Sequence, residues 1–139
     1  MKRILVLCKR NSARSQMAEA ILKQLTFNRN EIFSAGLKAE AVHPLAIRAM
    51  KELGIDISRN ESRSVNEFYH DKLDFVITLC DETREKCPIL QGAHTKIHKN
   101  FDDPVSYRGN EEQKMEHFRT VRDEIKEWLT DFVERYQLV

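Results

Sequence analysis

Hydrophobic and polar positions along the chain alternate between two periods. Arg3 to Leu7 carries the continuous apolar run Ile4-Leu5-Val6-Leu7, the pattern of a strand buried on both faces. From Ser15 to Leu25 the spacing becomes helical, with Met17, Ala18, Ile21, Leu22 and Leu25 on one side. Ile32 to Ala35 predicts a short second strand ending at Gly36. His43 to Leu53 predicts a helix, with Pro44 in its first turn and Gly54 as its stop. Ser64 to His70 predicts a short helix, and Leu73 to Leu79 a strand with Cys80 at its end. Thr83 to Ile89 has helical character up to Pro88, and Lys96 to His98 is a candidate last strand. The loop Asn100 to Asn110 leads into one long amphipathic helix, Glu111 to Tyr136. There Met115, Phe118, Val121, Ile125, Leu129 (or Trp128), Phe132 and Tyr136 recur at steps of three or four.

Alternation of strands and helices predicts an α/β fold in a single domain, residues 1–139. The expected architecture is a three-layer sandwich, a four-stranded parallel sheet with helices on both faces. Ligands of such sheets sit beyond the carboxyl ends of the strands. Cys8 and Cys80 both fall at such ends, so the topology can bring them near one another.

Composition narrows the function classes. Lys plus Arg is 23 against 22 for Asp plus Glu, a net charge of +1. That argues against a general nucleic-acid or membrane-surface binder. Basic residues concentrate instead near the first loop, at Lys2, Arg3, Lys9, Arg10 and Arg14. No apolar stretch is long enough to span a bilayer, and Ile4 to Leu7 is too short for a secretory signal. The expectation is a cytoplasmic monomer. Three cysteines in a reducing compartment point to catalysis or metal binding rather than a structural disulfide framework.

The run Cys8-Lys9-Arg10-Asn11-Ser12-Ala13-Arg14-Ser15 carries the chemistry. It lies between a predicted strand and a predicted helix, where a loop turns several backbone N–H groups into one concavity. Those donors and the helix dipole favour a thiolate at Cys8. Arg14 supplies a planar fork for two oxygens of phosphate or arsenate. Ser15 can donate to the sulfur, Asn11 can hold the loop's shape, and Lys9 and Arg10 add positive charge at the rim. Residues 9–15 are therefore the expected oxyanion-binding segment. The three thiols allow two other readings. One is a phosphatase, which would have no use for Cys80 and Cys87. The other is a zinc-stabilised interaction domain using Cys80, Cys87, His94 and His98, although the cysteine spacing is wider than usual for zinc.

These residues carry a resemblance. Cys8-x5-Arg14-Ser15-Gln16-Met17-Ala18-Glu19 resembles the loop of the low-molecular-weight protein tyrosine phosphatase superfamily, and most closely its thioredoxin-coupled arsenate reductases. The likeness continues through Ser34-Ala35-Gly36, His43-Pro44, Gly54 to Ser58, Thr78-Leu79-Cys80, Cys87 to Leu90, Phe101 to Pro104 and Phe118 to Ile125. It implies a phosphatase-like fold with no cofactor and no metal, arsenate as substrate (phosphate or sulfate as mimics) and thioredoxin as reductant. It also implies a role for Asp103, before Pro104, as the acid that protonates the leaving oxygen; Asp102 is the competing carboxylate.

The resemblance implies a relay in which Cys8 attacks arsenate, Cys80 attacks Cys8, and Cys87 attacks Cys80. On a continuous helix Cys80 and Cys87 would stand about 10 Å apart. A disulfide needs a Cα separation of roughly 4.4–6.8 Å, so the relay requires the intervening segment to unwind. Two departures stand out. Ala13 replaces a cysteine common in the family. Where some members bind a monovalent cation through Asn, Glu, Ser and Asp, the first three map to Asn11, Glu19 and Ser34, but Arg63 holds the aspartate position. The expectation is that Arg63 replaces the ion, by pairing with Glu19 or by ordering the first loop.

Overall fold

The computed structural model describes all residues, Met1–Val139. Four strands, β1 (Arg3–Cys8), β2 (Glu31–Gly36), β3 (Leu73–Thr78) and β4 (Ala93–His98), form one wholly parallel sheet in the order β2-β1-β3-β4. Four helices connect or follow them: α1 (Arg14–Leu25), α2 (Pro44–Lys51), α3 (Asp81–Lys86) and α4 (Glu111–Arg135). The predicted α/β architecture is therefore present.

β1 explains the layering. Its alternate residues feed opposite sides of the sheet, as a pleated strand requires. Ile4, Val6 and Cys8 enter a core of 27 buried residues shared with α1, α2 and α4. Leu5 and Leu7 enter a core of 8, closed by Val65, Phe68 and Leu90, so the second outer layer is thin. It consists of a 3-10 turn, Val65–Phe68, and the chain from α3 to Leu90.

Local chemistry sets the element ends. α2 begins where His43 Nδ1 accepts the Leu45 amide, with Pro44 in the first turn, so His43 caps the helix rather than opening it. α4 begins with a reciprocal Asn110–Gln113 capping box and stops at Arg135, one residue short of the expected end. The helix expected at Thr83–Ile89 lies at Asp81–Lys86. Two acids occupy its first turn, and Cys87, which precedes Pro88, is extended. The predicted Ser64–His70 helix shrinks to the 3-10 turn. The last strand begins at Ala93, three residues earlier than expected, because its outward positions are polar.

β1 leads by α1 to a neighbour on one side, whereas β3 leads by α3 to a neighbour on the other. The strand order therefore reverses between β1 and β3, where open parallel sheets form their ligand crevice. Leu79 N donates to Leu7 O across 2.9 Å at that edge. Cys8 and Cys80 are the next residues on each side, so they leave adjacent strands at the same end.

Candidate active site

Helix α1 begins unusually. Its N-cap is Ala13, no side chain caps it and its first turn holds no acid. The loop before it is turned inside out. Lys9 O accepts Lys38 N at 3.0 Å, Arg10 O accepts Glu40 N at 2.9 Å, and Ser12 O accepts His43 N at 2.8 Å. Asn11 O accepts the Ser62 hydroxyl at 2.8 Å, and Ala13 O accepts Met17 N at 2.9 Å. With every carbonyl from Lys9 to Ala13 engaged outward, the backbone N–H groups from Arg10 to Ser15 find no acceptor in the protein. A ring of free amides at a helix N-terminus is an oxyanion cradle.

Two backbone features permit this path. Asn11 adopts φ 52°, a left-handed conformation that asparagine tolerates better than most residues. Gly36 passes so close beneath that a Cβ would lie 2.7 Å from Asn11 N and 2.8 Å from Arg10 C.

Cys8 is 2 % exposed at the end of β1. The side chain of Asn11 fixes its polar surroundings. Asn11 Oδ1 accepts Arg63 N at 2.9 Å and Gln16 Nε2 at 3.1 Å, so its Nδ2 must be the atom facing Ser15, where it donates to Oγ at 2.7 Å. That leaves the Ser15 hydroxyl proton free to point at Cys8 Sγ, 2.9 Å away. The chain of donors ends on the sulfur.

Arg14 is buried on the same side, with Nη1 donating to Phe101 O at 3.0 Å. Its Nη2 lies 3.7 Å from Asp103 Oδ2. Asp103 is held in turn by Val105 N and the Ser106 hydroxyl, each at 3.0 Å. Asp102 is exposed and opens onto a different cleft, with Phe101, Glu124 and Trp128. The structure thus selects Asp103 as the carboxylate beside the loop. The rim cations are engaged: Lys9 Nζ lies 3.3 Å from Glu82, and Arg10 lies 3.3 Å from Glu40 and 3.7 Å from Asp103.

All three cysteines are free thiols. Cys80 is buried as the N-cap of α3, 2.7 Å from Thr83 Oγ1. Cys87 is half-buried at the other end of α3, with Sγ 3.3 Å from Pro88 O. Burial pushes the Cys87 thiol up, against a weaker opposing effect of the Lys96 ammonium. The helix between Cys80 and Cys87 spaces them about 10 Å apart, beyond disulfide reach.

One of the two roles expected of Arg63 is corrected, and the alternative zinc reading finds no support in the geometry. Arg63 does not pair with Glu19. Lys23, one turn along α1, places its ammonium 2.8 Å from Glu19 Oε2, and Ser34 donates to Oε1 at 2.6 Å. Arg63 orders the loop through its backbone instead, giving its N–H to Asn11 Oδ1 and its carbonyl to Gly36 N. The zinc reading loses its ligand set. His98 spends both ring nitrogens on Thr78 and Asp81, and no cluster of three His, Cys, Asp or Glu side chains is placed to hold an ion. The sequence reading missed Glu40, Phe101 O and Lys23, and it considered His98 only as a zinc ligand. Of these only Lys23 had a local signature, its i, i+4 spacing from Glu19.

The profile of the low molecular weight phosphotyrosine protein phosphatase family matches residues 3–138. An arsenate reductase of Bacillus subtilis is 42% identical over 133 residues, 96% of each chain. One from Halalkalibacterium halodurans is 41% identical over the same share. A solved arsenate reductase in the phosphate-binding state superimposes with a TM-score of 0.82 at 37% identity, covering 97% of this chain and 98% of its own. With the cysteine-bearing amide loop, its arginine and its neighbouring aspartate in place on this sheet, the chain belongs to the low molecular weight phosphotyrosine protein phosphatase family.

Proposed function

We propose that this protein reduces arsenate to arsenite, with thioredoxin as the final reductant. The observation that carries the reading is that Cys8 and Cys80 leave adjacent parallel strands at one end, Cys8 inside a ring of free amides and Cys80 as a buried thiol beside it. The arsenate reductases at 41–42% identity support the substrate.

In the proposed sequence the loop amides and Arg14 hold the oxyanion, and the Cys8 thiolate forms a bond to arsenic. Asp103 gives a proton to the departing oxygen, which leaves as water. The Cys80 thiolate then attacks Cys8 Sγ. The S–As bond breaks with its electron pair on arsenic, so arsenic(V) becomes arsenic(III) as the two thiols become a Cys8–Cys80 disulfide. Cys87 attacks Cys80, releasing the Cys8 thiolate and moving the disulfide to Cys80–Cys87. The thioredoxin dithiol reduces that bond by exchange.

Hydrolysis of phosphate monoesters is the second reading, because Cys8, Arg14 and Asp103 serve it equally. It leaves two thiols without a task, so it is proposed as a weak side activity. The deciding experiment is arsenate-dependent NADPH oxidation coupled to thioredoxin and thioredoxin reductase. Cys8→Ser, Cys80→Ser and Cys87→Ser should each abolish turnover. Full multiple turnover by Cys87→Ser would refute the shuttle, and phosphate release without arsenate reduction would establish the phosphatase.

A further inference from the structure

We propose that His98 is a positioning residue that pins the first turn of α3. On this view Cys80 holds its place at the end of β3 while Cys87 travels to it; the proposal rests on the disulfide relay above. His98 closes β4, opposite Thr78 of β3 in the strand register. Its side chain is 18% exposed, and both ring nitrogens are engaged at 2.7 Å, one with Thr78 Oγ1 and one with Asp81 Oδ1. Asp81 follows Cys80 directly, and its own N–H donates to Asn100 Oδ1 at 3.1 Å. The next residue, Glu82, reaches Lys9 of the oxyanion loop at 3.3 Å. The start of α3 is therefore tied to β4, to the segment after it and to the loop.

The other end of α3 has no comparable tie. Glu85 makes no ion pair, Lys86 pairs only with Glu82 inside the helix, and Cys87 N is held by Thr83 O. A six-residue helix has little stability of its own. Fraying from the Cys87 end breaks helix-internal hydrogen bonds and the partial packing of Cys87 on the smaller core, whereas fraying from the Cys80 end must break the polar ties of Asp81 and Glu82 to β4, Asn100 and Lys9. The sulfur that moves is thus Cys87. The two exchanges respond differently to this asymmetry. Cys80 attack on the Cys8–arsenic adduct needs Cys80 fixed, with arsenate itself as the oxidant of the two thiols. Cys87 attack on the Cys8–Cys80 disulfide needs only a mobile Cys87, and it releases the Cys8 thiolate.

The test is single-turnover oxidation by arsenate in the full chain, quenched by alkylation, with each disulfide counted by mass spectrometry. His98→Phe keeps a ring and removes both nitrogens. It should slow formation of Cys8–Cys80 about ten-fold, the effect of losing one charge-assisted hydrogen bond, and leave the second exchange within about two-fold. His98→Gln, which retains a donor towards Asp81, should recover most of the rate. Equal slowing of both steps, or no slowing, overturns the pin. Amide hydrogen exchange decides the same point without turnover. In the wild type, Arg84 N, bonded to Cys80 O, should exchange more slowly than Cys87 N, and His98→Phe should erase the difference. An unchanged gradient overturns the pin. A wild type that forms neither disulfide with arsenate refutes the relay alone, because the exchange gradient still reports on the pin.

Discussion

Asp103 Oδ2 lies 3.7 Å from Nη2 of Arg14, while Asp102, its sequence neighbour, faces another cleft altogether. The pairing keeps a carboxyl beside the guanidinium that is proposed to hold the oxyanion, and the turn at Val105 and Ser106 fixes its aim. Asp103→Asn should therefore lower arsenate turnover on the order of a hundredfold or more, the range of a positioned general acid. Asp102→Asn should stay within about two-fold by the same reasoning. Steady-state rates of the two variants, measured side by side, check the assignment.

The Ser15 hydroxyl lies 2.9 Å from Cys8 Sγ, and its proton is free to point there because Asn11 donates to its oxygen. Ser15→Ala removes that donor and leaves the amide ring intact. Alkylation of Cys8 by iodoacetamide near neutral pH should slow on the order of ten-fold, since a hydrogen bond to a charged group contributes about 1.5–3 kcal/mol. Ser15→Thr, which keeps the hydroxyl, should alkylate faster than the alanine variant.

Gly36 lies under the loop where any Cβ would strike backbone atoms of Arg10 and Asn11, at 2.8 and 2.7 Å. Backbone cannot yield as a flexible side chain can, so Gly36→Ala must displace the cradle. The expected result is a fall in kcat/KM for arsenate of about ten-fold or more with a folded far-UV spectrum, because misplacement near 1 Å is expensive in catalysis. Unchanged kinetics would show that the cradle tolerates the shift.

The fold was readable where burial is two-sided or strongly periodic. Ile4 to Leu7 and the α4 stripe of Met115, Phe118, Val121 and Ile125 carry unambiguous patterns, and both elements form as expected. β4 was only half visible because it is an edge strand whose positions are at best partly buried, with His94 and Lys96 exposed. The loop's chemistry was local in sequence and hence legible: Cys8, Asn11, Arg14 and Ser15 fall within eight residues. What supports the loop was not. Arg63 acts through its backbone amide, Phe101 through its carbonyl, and Glu40 and Glu82 through ion pairs fixed only by folding. No side-chain pattern announces a backbone donor, which is why the sequence assigned Arg63's role to its guanidinium.

Burial raises the Cys87 thiol above its ordinary range, so in the reduced protein Cys87 is protonated at neutral pH. Only the thiolate is nucleophilic, and the thiolate fraction grows with pH. Alkylation of Cys87 in the resting enzyme should therefore keep increasing to pH 9 and beyond. Arg84→Pro, placed mid-helix to break α3, should expose the thiol and shift the profile to lower pH. Peptide mapping after timed iodoacetamide labelling measures both profiles.

Glu52 links the end of α2 to α4. Its carboxylate accepts Arg119 Nη2 at 2.8 Å and Arg122 Nη1 at 2.7 Å, and these two guanidinium groups hold it down at about 2. A carboxyl depressed by folding adds stability that is complete above its unfolded value of 4.5 and disappears as pH falls from there through about 2. The Glu52 side chain is 38% exposed, so solvent screening holds its contribution to about 1 kcal/mol. Arg122 is only 9% exposed and also donates to Ala49 O at 2.9 Å, which ties its guanidinium to the helix end even without Glu52. Glu52→Gln should thus lower the urea midpoint at neutral pH, and the gap to wild type should close steadily as the carboxylate is protonated. Arg122→Ala, which strips the buried cation and leaves Ala49 O without its donor, should destabilise more, by about 2 kcal/mol, and without the same acid dependence. Urea titrations of the three proteins at neutral and acidic pH measure both effects. A gap that stays constant into acid would place the stabilisation in packing of the Glu52 side chain and not in its charge.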